Sequence, residues 1–213
     1  MIYTTIFFDL DATLYSPSNG LLQGINQRIQ TYMIERLKLP RDQVPGLRDK
    51  YFTRYGTTLA GLRRHHQVNT DEFQDFVHDL ALENYLQPDP ELRSILEGLD
   101  QNLWVFTNSS APYARKVLQI LTVEELFEGI IDSQAVDHTP KPAPSAYHKA
   151  LQIAGERVPS RSILFDDRIQ NLVPAGELGM FTVHVHPQVG SPQADLSVRR
   201  VHDAADWFLN LSG

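Results

Sequence analysis

Apolar residues follow two rhythms along this chain. Near the N-terminus Ile6-Phe7-Phe8 is an unbroken apolar run that reads as a buried strand, closed by Asp9-Leu10-Asp11-Ala12-Thr13-Leu14. Tyr15 to Gly20 is rich in turn formers and predicts a loop or small flap. From Leu21 to about Gln87 the apolar residues instead return every three or four positions. Leu22, Ile25, Ile29, Tyr32, Met33 and Leu37 form one such face, which predicts an amphipathic helix closed by Pro40. Further helices are expected over about Asp42 to Tyr55, after Gly56 through Leu59, Leu62 and Arg63, and from Asn69-Thr70 through Phe73, Phe76, Val77 and Leu80. Either Asn69 or Thr70 suits an N-cap. No strand pattern interrupts this stretch.

From Pro88 the rhythm alternates. Short apolar runs at Leu103–Phe106, Gly129–Ile131, Ser162–Phe165 and Met180–Val185 predict strands. Between and after them, helices are expected at Glu91–Gly98, Pro112–Leu121, Ala143–Ala154, Arg168–Leu178 and Val201–Leu211. Wholly apolar strands alternating with helices imply a parallel sheet covered on both faces. The expected fold is therefore α/β: a Rossmann-like parallel sheet core flanked by helices, formed by 1–15 and 88–213, with an all-helical cap at 16–87. In such sheets ligands bind beyond the carboxyl ends of the strands. Three strands here run out into polar residues: Asp9 and Asp11, Thr107 to Ser110, and Asp166 and Asp167. One site is expected, assembled from three places in the chain.

Composition narrows the chemistry. The 213 residues suit one large domain or a core with a smaller lobe. The absence of cysteine excludes disulfides, thiolate metal sites and a Cys nucleophile, and fits a reducing cytoplasm, the expected location. Met1 to Thr5 shows no basic, signal-type start, and no run nears the roughly 18 apolar residues of a membrane span. A net charge of −7 argues against a nucleic-acid polymer or an anionic membrane as partner. An anionic substrate must therefore be drawn by local positive charge.

Four converging carboxylates need a cation, because like charges gathered after buried strands repel. With only oxygen donors, a hard ion such as Mg²⁺ suits Asp9, Asp11, Asp166 and Asp167. Thr107 and Asn108 lie where a strand gives way to a helix, a place for anions; Ser109 or Ser110 could serve there or cap the helix. Lys141 sits between Pro140 and Pro142, which fix its backbone and present its ammonium to neutralise an anion and brace the acidic cluster. Metal, anion pocket, lysine and paired carboxylates suit phosphoryl transfer. One carboxylate can act as nucleophile and a second as proton donor and acceptor.

These residues resemble the haloacid dehalogenase-like hydrolase superfamily, through Asp9-Leu10-Asp11-Ala12-Thr13, Thr107-Asn108, Lys141 and Asp166-Asp167 in order and spacing. The resemblance implies Asp9 as nucleophile, Asp11 as general acid/base, Thr107 and Asn108 as phosphoryl ligands, and Lys141 as their stabiliser. It also implies Mg²⁺ held by Asp9, Asp166 and the main-chain carbonyl of Asp11, with Asp167 supporting. Dehalogenases of the superfamily generally lack the second acid, so Asp11 favours phosphate-ester hydrolysis. Ala12 departs from the Asn or Gly often found there, with little expected effect.

A finer likeness to the pyrimidine 5′-nucleotidase branch rests on Asp11 to Tyr15, Gly20-Leu21, Tyr55 to Leu62, and Phe165-Asp166-Asp167 with Asn171. It implies hydrolysis of UMP- or CMP-like monophosphates, with Arg54, Tyr55, Arg63 and Arg64 as candidates for sugar or base contact. A sugar phosphate or phosphoglycolate is the alternative substrate, and a phosphate-binding regulatory module the non-enzymatic alternative. A monomer or weak homodimer acting on a small phosphorylated metabolite is expected. A histidine metal site is disfavoured: His65 and His66 cannot share a helix face, and His184 and His186 lack a third ligand.

Overall fold

A computed structural model describes residues 3–208. The N-terminal residues through Ser18 and the chain from Leu86 onward make one compact unit, and Asn19–Tyr85 makes another. Among the described residues no helix is long and apolar enough to cross a membrane.

The first unit is built on six parallel strands: β1 (Thr5–Phe8), β2 (Asn102–Phe106), β3 (Gly129–Ile131), β4 (Ser162–Asp166), β5 (Phe181–Val185) and β6 (Leu196–Val198). Their order is β3-β2-β1-β4-β5-β6. The order reverses between β1 and β4, the switch point where an open α/β sheet leaves a crevice for ligands. Phe8 pairs with Val105 on one side and Phe165 on the other, so β1, β2 and β4 end side by side. Every residue of β1 and β4 is buried. Phe7, Phe106, Tyr147, Leu164 and Leu172 share one core cluster, and Phe8 stacks on Phe165 at 4.8 Å.

β6 is absent from the expectation. It has only three residues, one of them buried, and polar neighbours hide it from any periodicity. The helix expected over Val201–Leu211 is instead a 3-10 turn at Val201–Ala204 running into a short helix, Ala205–Phe208, and its last expected residues lie outside the described ones. The remaining helices of this unit, Pro90–Glu97, Ala111–Leu121, Pro144–Ile153 and Ile169–Glu177, lie within a residue or so of expectation, the ordinary scatter of helix ends.

The helical unit holds α1 (Leu21–Glu35), α2 (Val44–Tyr55), α3 (Thr58–His65) and α4 (Thr70–His78). Its core joins Tyr32, Met33, Val44, Tyr51, Leu62, Phe73 and Val77. Two details differ from the expectation. Leu21 rather than Leu22 is fully buried, and α1 ends at Glu35, short of Leu37, where Lys38 adopts a φ of 56° and turns the chain. Asn69 is the residue that caps α4, accepting from the Glu72 N–H at 3.0 Å.

Candidate active site

β1 stops at Phe8, so Asp9 and Asp11 do not lie two apart on a straight strand. Asp9 still donates its N–H to Phe165 O at 2.8 Å, which ties it to the sheet. The chain then turns tightly: Thr13 and Leu14 both donate their N–H to Leu10 O, and Ala12 takes a φ of 62°. That left-handed conformation costs a residue with a Cβ about 1–2 kcal/mol. It gives a backbone reason for the Gly or Asn that the family resemblance leads one to expect at position 12. The turn sends the two carboxylates to different surroundings.

Asp9 joins Asp166 and Asp167. Each offers an oxygen, and these oxygens all lie within 4.8 Å of one another. Lys141 is fully buried and drives its ammonium into this group: Nζ donates to Asp9 Oδ1 at 2.8 Å, to Asp166 Oδ2 at 2.6 Å and to Phe106 O at 2.7 Å. An ammonium has three donors, and here all three are used. These contacts tie the ammonium to two of the acidic residues, and a substrate oxygen would have to take the place of one of these partners.

Asp166 is held further by the Arg168 N–H at 2.9 Å and by Asn171 Nδ2 at 2.9 and 3.1 Å. Burial pushes the carboxyl of Asp9 up to about 7, with Lys141 pulling it back and Asp166 and Asp11 adding to the rise. Burial, with the Asp166 and Asp9 charges, likewise pushes Asp167 up to about 8. Burial alone would lower Lys141, but Asp166 and Asp9 more than offset it, so its ammonium stays charged.

Asp11 faces a different set. Its Oδ1 accepts from Tyr15 Oη at 2.5 Å and Tyr113 Oη at 2.8 Å, and its Oδ2 from Ser109 Oγ at 2.6 Å. Burial and the Asp11 charge raise both phenols well above their ordinary range, which keeps them protonated as donors. Sequence reasoning missed this cradle. Tyr113 lies in the first turn of the Ala111–Leu121 helix, 102 residues from Asp11, and nothing local marks it.

Thr107 is buried, and its Oγ1 accepts from the Ser109 N–H at 3.0 Å. The Asn108 side chain is engaged by the backbone of Lys141 through Nδ2–H to O at 3.0 Å and N–H to Oδ1 at 2.8 Å. The peptide that follows, Lys141–Pro142, is cis. The helix after β2 starts at Ala111 without a serine cap: Asp132 Oδ2 accepts the Ala111 N–H at 2.9 Å.

Arg54, Tyr55, Arg63 and Arg64 all belong to the helical unit. The guanidinium groups of exposed Arg54 and Arg64 lie 5.6 and 5.8 Å from the Tyr55 ring, and Tyr55 Oη meets His65 Nε2 at 2.7 Å. Arg63 is exposed on α3. His184 and His186 stack at 5.2 Å, with His184 Nε2 on Asp167 O at 3.1 Å.

This geometry coincides with likenesses to known proteins. A profile of haloacid dehalogenase-like hydrolases matches residues 3–179. The chain is 29% identical over 82% of its length to "Phosphate metabolism protein 8" of Saccharomyces cerevisiae, and it spans 59% of that protein. It is 25% identical to a Pseudomonas aeruginosa "5'-nucleotidase", covering 96% of this chain and 92% of that one. The structure of a phosphatase of the same family from Thermococcus onnurineus superposes with a TM-score of 0.65 over 96% of this chain and 97% of that one, at 17% identity, which speaks for the fold.

Proposed function

The chain belongs to the haloacid dehalogenase-like hydrolase family, and from that premise we propose that it is a Mg²⁺-dependent phosphomonoesterase that works through an aspartyl-phosphate. The observation that carries the reading is the separation of Asp9 from Asp11: one carboxylate is paired with Lys141, the other is held by hydroxyls alone.

The donor set fits the ion. Asp9, Asp166 and Asp167 supply only hard carboxylate oxygens, close enough to share one cation. When bound, the ion supplies positive charge to the oxygens of a phosphoryl group. The chain's own residues do the rest. Lys141 fixes Asp9 through Oδ1. Among the described residues, Oδ2 of Asp9 has only a long contact, 3.5 Å, from the Thr13 hydroxyl, and is the oxygen suited to attack phosphorus. As the Oδ2–P bond forms and the ester P–O bond breaks, Asp11 gives its proton to the departing oxygen. Asp11 then takes a proton from a water that attacks the phosphorylated Asp9, which frees phosphate and restores the carboxylate. Thr107, at the end of β2, offers a hydroxyl to the phosphoryl oxygens.

For substrate, we favour a pyrimidine nucleoside 5′-monophosphate of the UMP or CMP kind. Two things support it: the likeness to the P. aeruginosa protein over nearly the whole chain, and a half-buried tyrosine, Tyr55, flanked by exposed arginines in the helical unit, apt for a base and its sugar. A cytoplasmic monomer or weak homodimer fits the cysteine-free composition and net charge of −7. The test is phosphate release by the purified protein with Mg²⁺, across nucleoside monophosphates, sugar phosphates, phosphoglycolate and glycerol phosphate. UMP and CMP should lead. If they are no better than glycerol phosphate, the nucleotide assignment falls; full activity of Asp9→Asn would remove the nucleophile.

A further inference from the structure

The carboxylate of Asp11 has about four lone-pair positions. Three are filled from identified groups. Oδ1 receives the phenols of Tyr15 and Tyr113, and among the described residues Oδ2 receives only the hydroxyl of Ser109. The phenols also lie 3.3 Å from one another, so the two rings meet on the same oxygen. Tyr15 and Tyr113 are 7% and 3% exposed, and packing holds their rings. Ser109 is different, since its hydroxyl is a free rotor on a short side chain. One oxygen of Asp11 is thus locked by two rigid donors, and the other keeps an open position.

We propose that Tyr15 and Tyr113 are positioning residues for proton transfer: they tie Asp11 down by Oδ1 and leave Oδ2 as the oxygen that exchanges the proton. This rests on the phosphomonoesterase reading. In the first half-reaction the proton on Oδ2 passes to the departing ester oxygen, and the electron pair of the O–H bond stays on Oδ2. In the second, the attacking water returns a proton to Oδ2. Neither phenol gives up its own proton at any point. Their work is to stop the carboxyl group from rotating, so that Oδ2 keeps its direction through both steps.

The dependence on leaving group separates this from a merely structural role. An alkyl phosphate expels a strongly basic alkoxide and needs the proton; a nitrophenyl phosphate expels a weakly basic phenolate and needs it little. We expect Tyr15→Phe/Tyr113→Phe to lose kcat/KM about 10- to 100-fold on alkyl phosphates and under about 3-fold on nitrophenyl phosphate, less than the roughly 10²–10⁴-fold that general acid catalysis supplies because the acid itself is kept. Tyr113→Phe alone, which keeps the Tyr15 donor, should show the same bias more weakly and serves if the double variant does not fold. Equal losses on both substrates, or no loss on either, overturn the proposal. If the wild-type protein with Mg²⁺ releases phosphate from no ester, the phosphomonoesterase reading falls, and this one with it.

Discussion

Asn108 grips Lys141 by the backbone at two points, its amide nitrogen donating to the Lys141 carbonyl at 3.0 Å and its amide oxygen accepting the Lys141 N–H at 2.8 Å. A side chain two residues beyond the end of β2 thereby sets the backbone from which the buried ammonium reaches Asp9 and Asp166. The link joins two of the four chain segments that make the site, those of Thr107–Ser110 and Lys141.

Asn108→Ala should lower kcat/KM about 10- to 100-fold, the usual cost of removing a residue that orients a charged partner in a site. Asn108→Asp keeps the acceptor for the Lys141 N–H but loses the donor to its carbonyl, so it should fall between wild type and Asn108→Ala. Steady-state kinetics on one phosphate ester checks the ranking. An Asn108→Asp variant worse than Asn108→Ala would show that charge, not the two-point grip, dominates here.

Removing the ammonium should be costly to the fold itself. Lys141→Met preserves length and apolar stem but leaves Asp9 and Asp166 buried side by side without a counter-charge. Breaking a buried pair in this way costs about 3–5 kcal/mol. Urea unfolding without metal at neutral pH measures it, and saturating Mg²⁺ should recover part of the loss by binding the same carboxylates. A variant as stable as wild type would mean that Asp9 and Asp166 are not charged together.

Much of this site is legible in the sequence because each part closes an apolar strand. Asp9 follows Phe8, Thr107 follows Phe106, and Asp166 ends a run of Ile, Leu and Phe, so a parallel sheet brings them together whatever the intervening chain does. Lys141 stands out through its prolines. What the sequence hides is decided by a single turn and by distant packing. The left-handed Ala12 redirects Asp11 away from Asp9, and no periodicity reports a backbone angle. Tyr113 reaches Asp11 only because the helix it begins is set down at the same sheet edge, and its spacing is that of an ordinary core residue. β6 fails for another reason: three residues are too few for alternation to show.

In the helical unit, Gly61 lies inside α3 against Tyr51 of α2. A Cβ built at Gly61 would stand 2.4 Å from Tyr51 Cβ and 2.3 Å from its Cγ. Gly to Ala in a helix ordinarily gains about 1 kcal/mol. Here the clash involves atoms next to the backbone, which no rotamer change relieves, and overpacking of this kind costs about 1–3 kcal/mol. Gly61→Ala should therefore be destabilising, seen as a lower thermal midpoint. A rise in Tm would mean that α2 and α3 separate easily.

The raised carboxyls make metal binding and stability depend on pH in a defined direction. Asp9 titrates at about 7 and Asp167 at about 8 in the folded, metal-free chain, against an ordinary 3.8. A raised folded value means that the folded state holds protons the unfolded state has already lost. The associated stability is present in full below about pH 4 and is lost as pH climbs through 7 and 8. The metal-free protein should thus melt at a lower temperature at pH 8.5 than at pH 6. A divalent ion needs both groups ionised, so its binding must expel protons below about pH 8 and tighten as pH rises. Calorimetric Mg²⁺ titrations in buffers of different ionisation enthalpy would count the released protons directly. Proton release that shrinks from pH 6.5 to pH 8.5, with affinity growing over the same interval, is the expected pattern. Affinity flat across that range would mean that Asp9 and Asp167 are already ionised before the ion arrives, and that Lys141 neutralises the cluster more fully than burial opposes it.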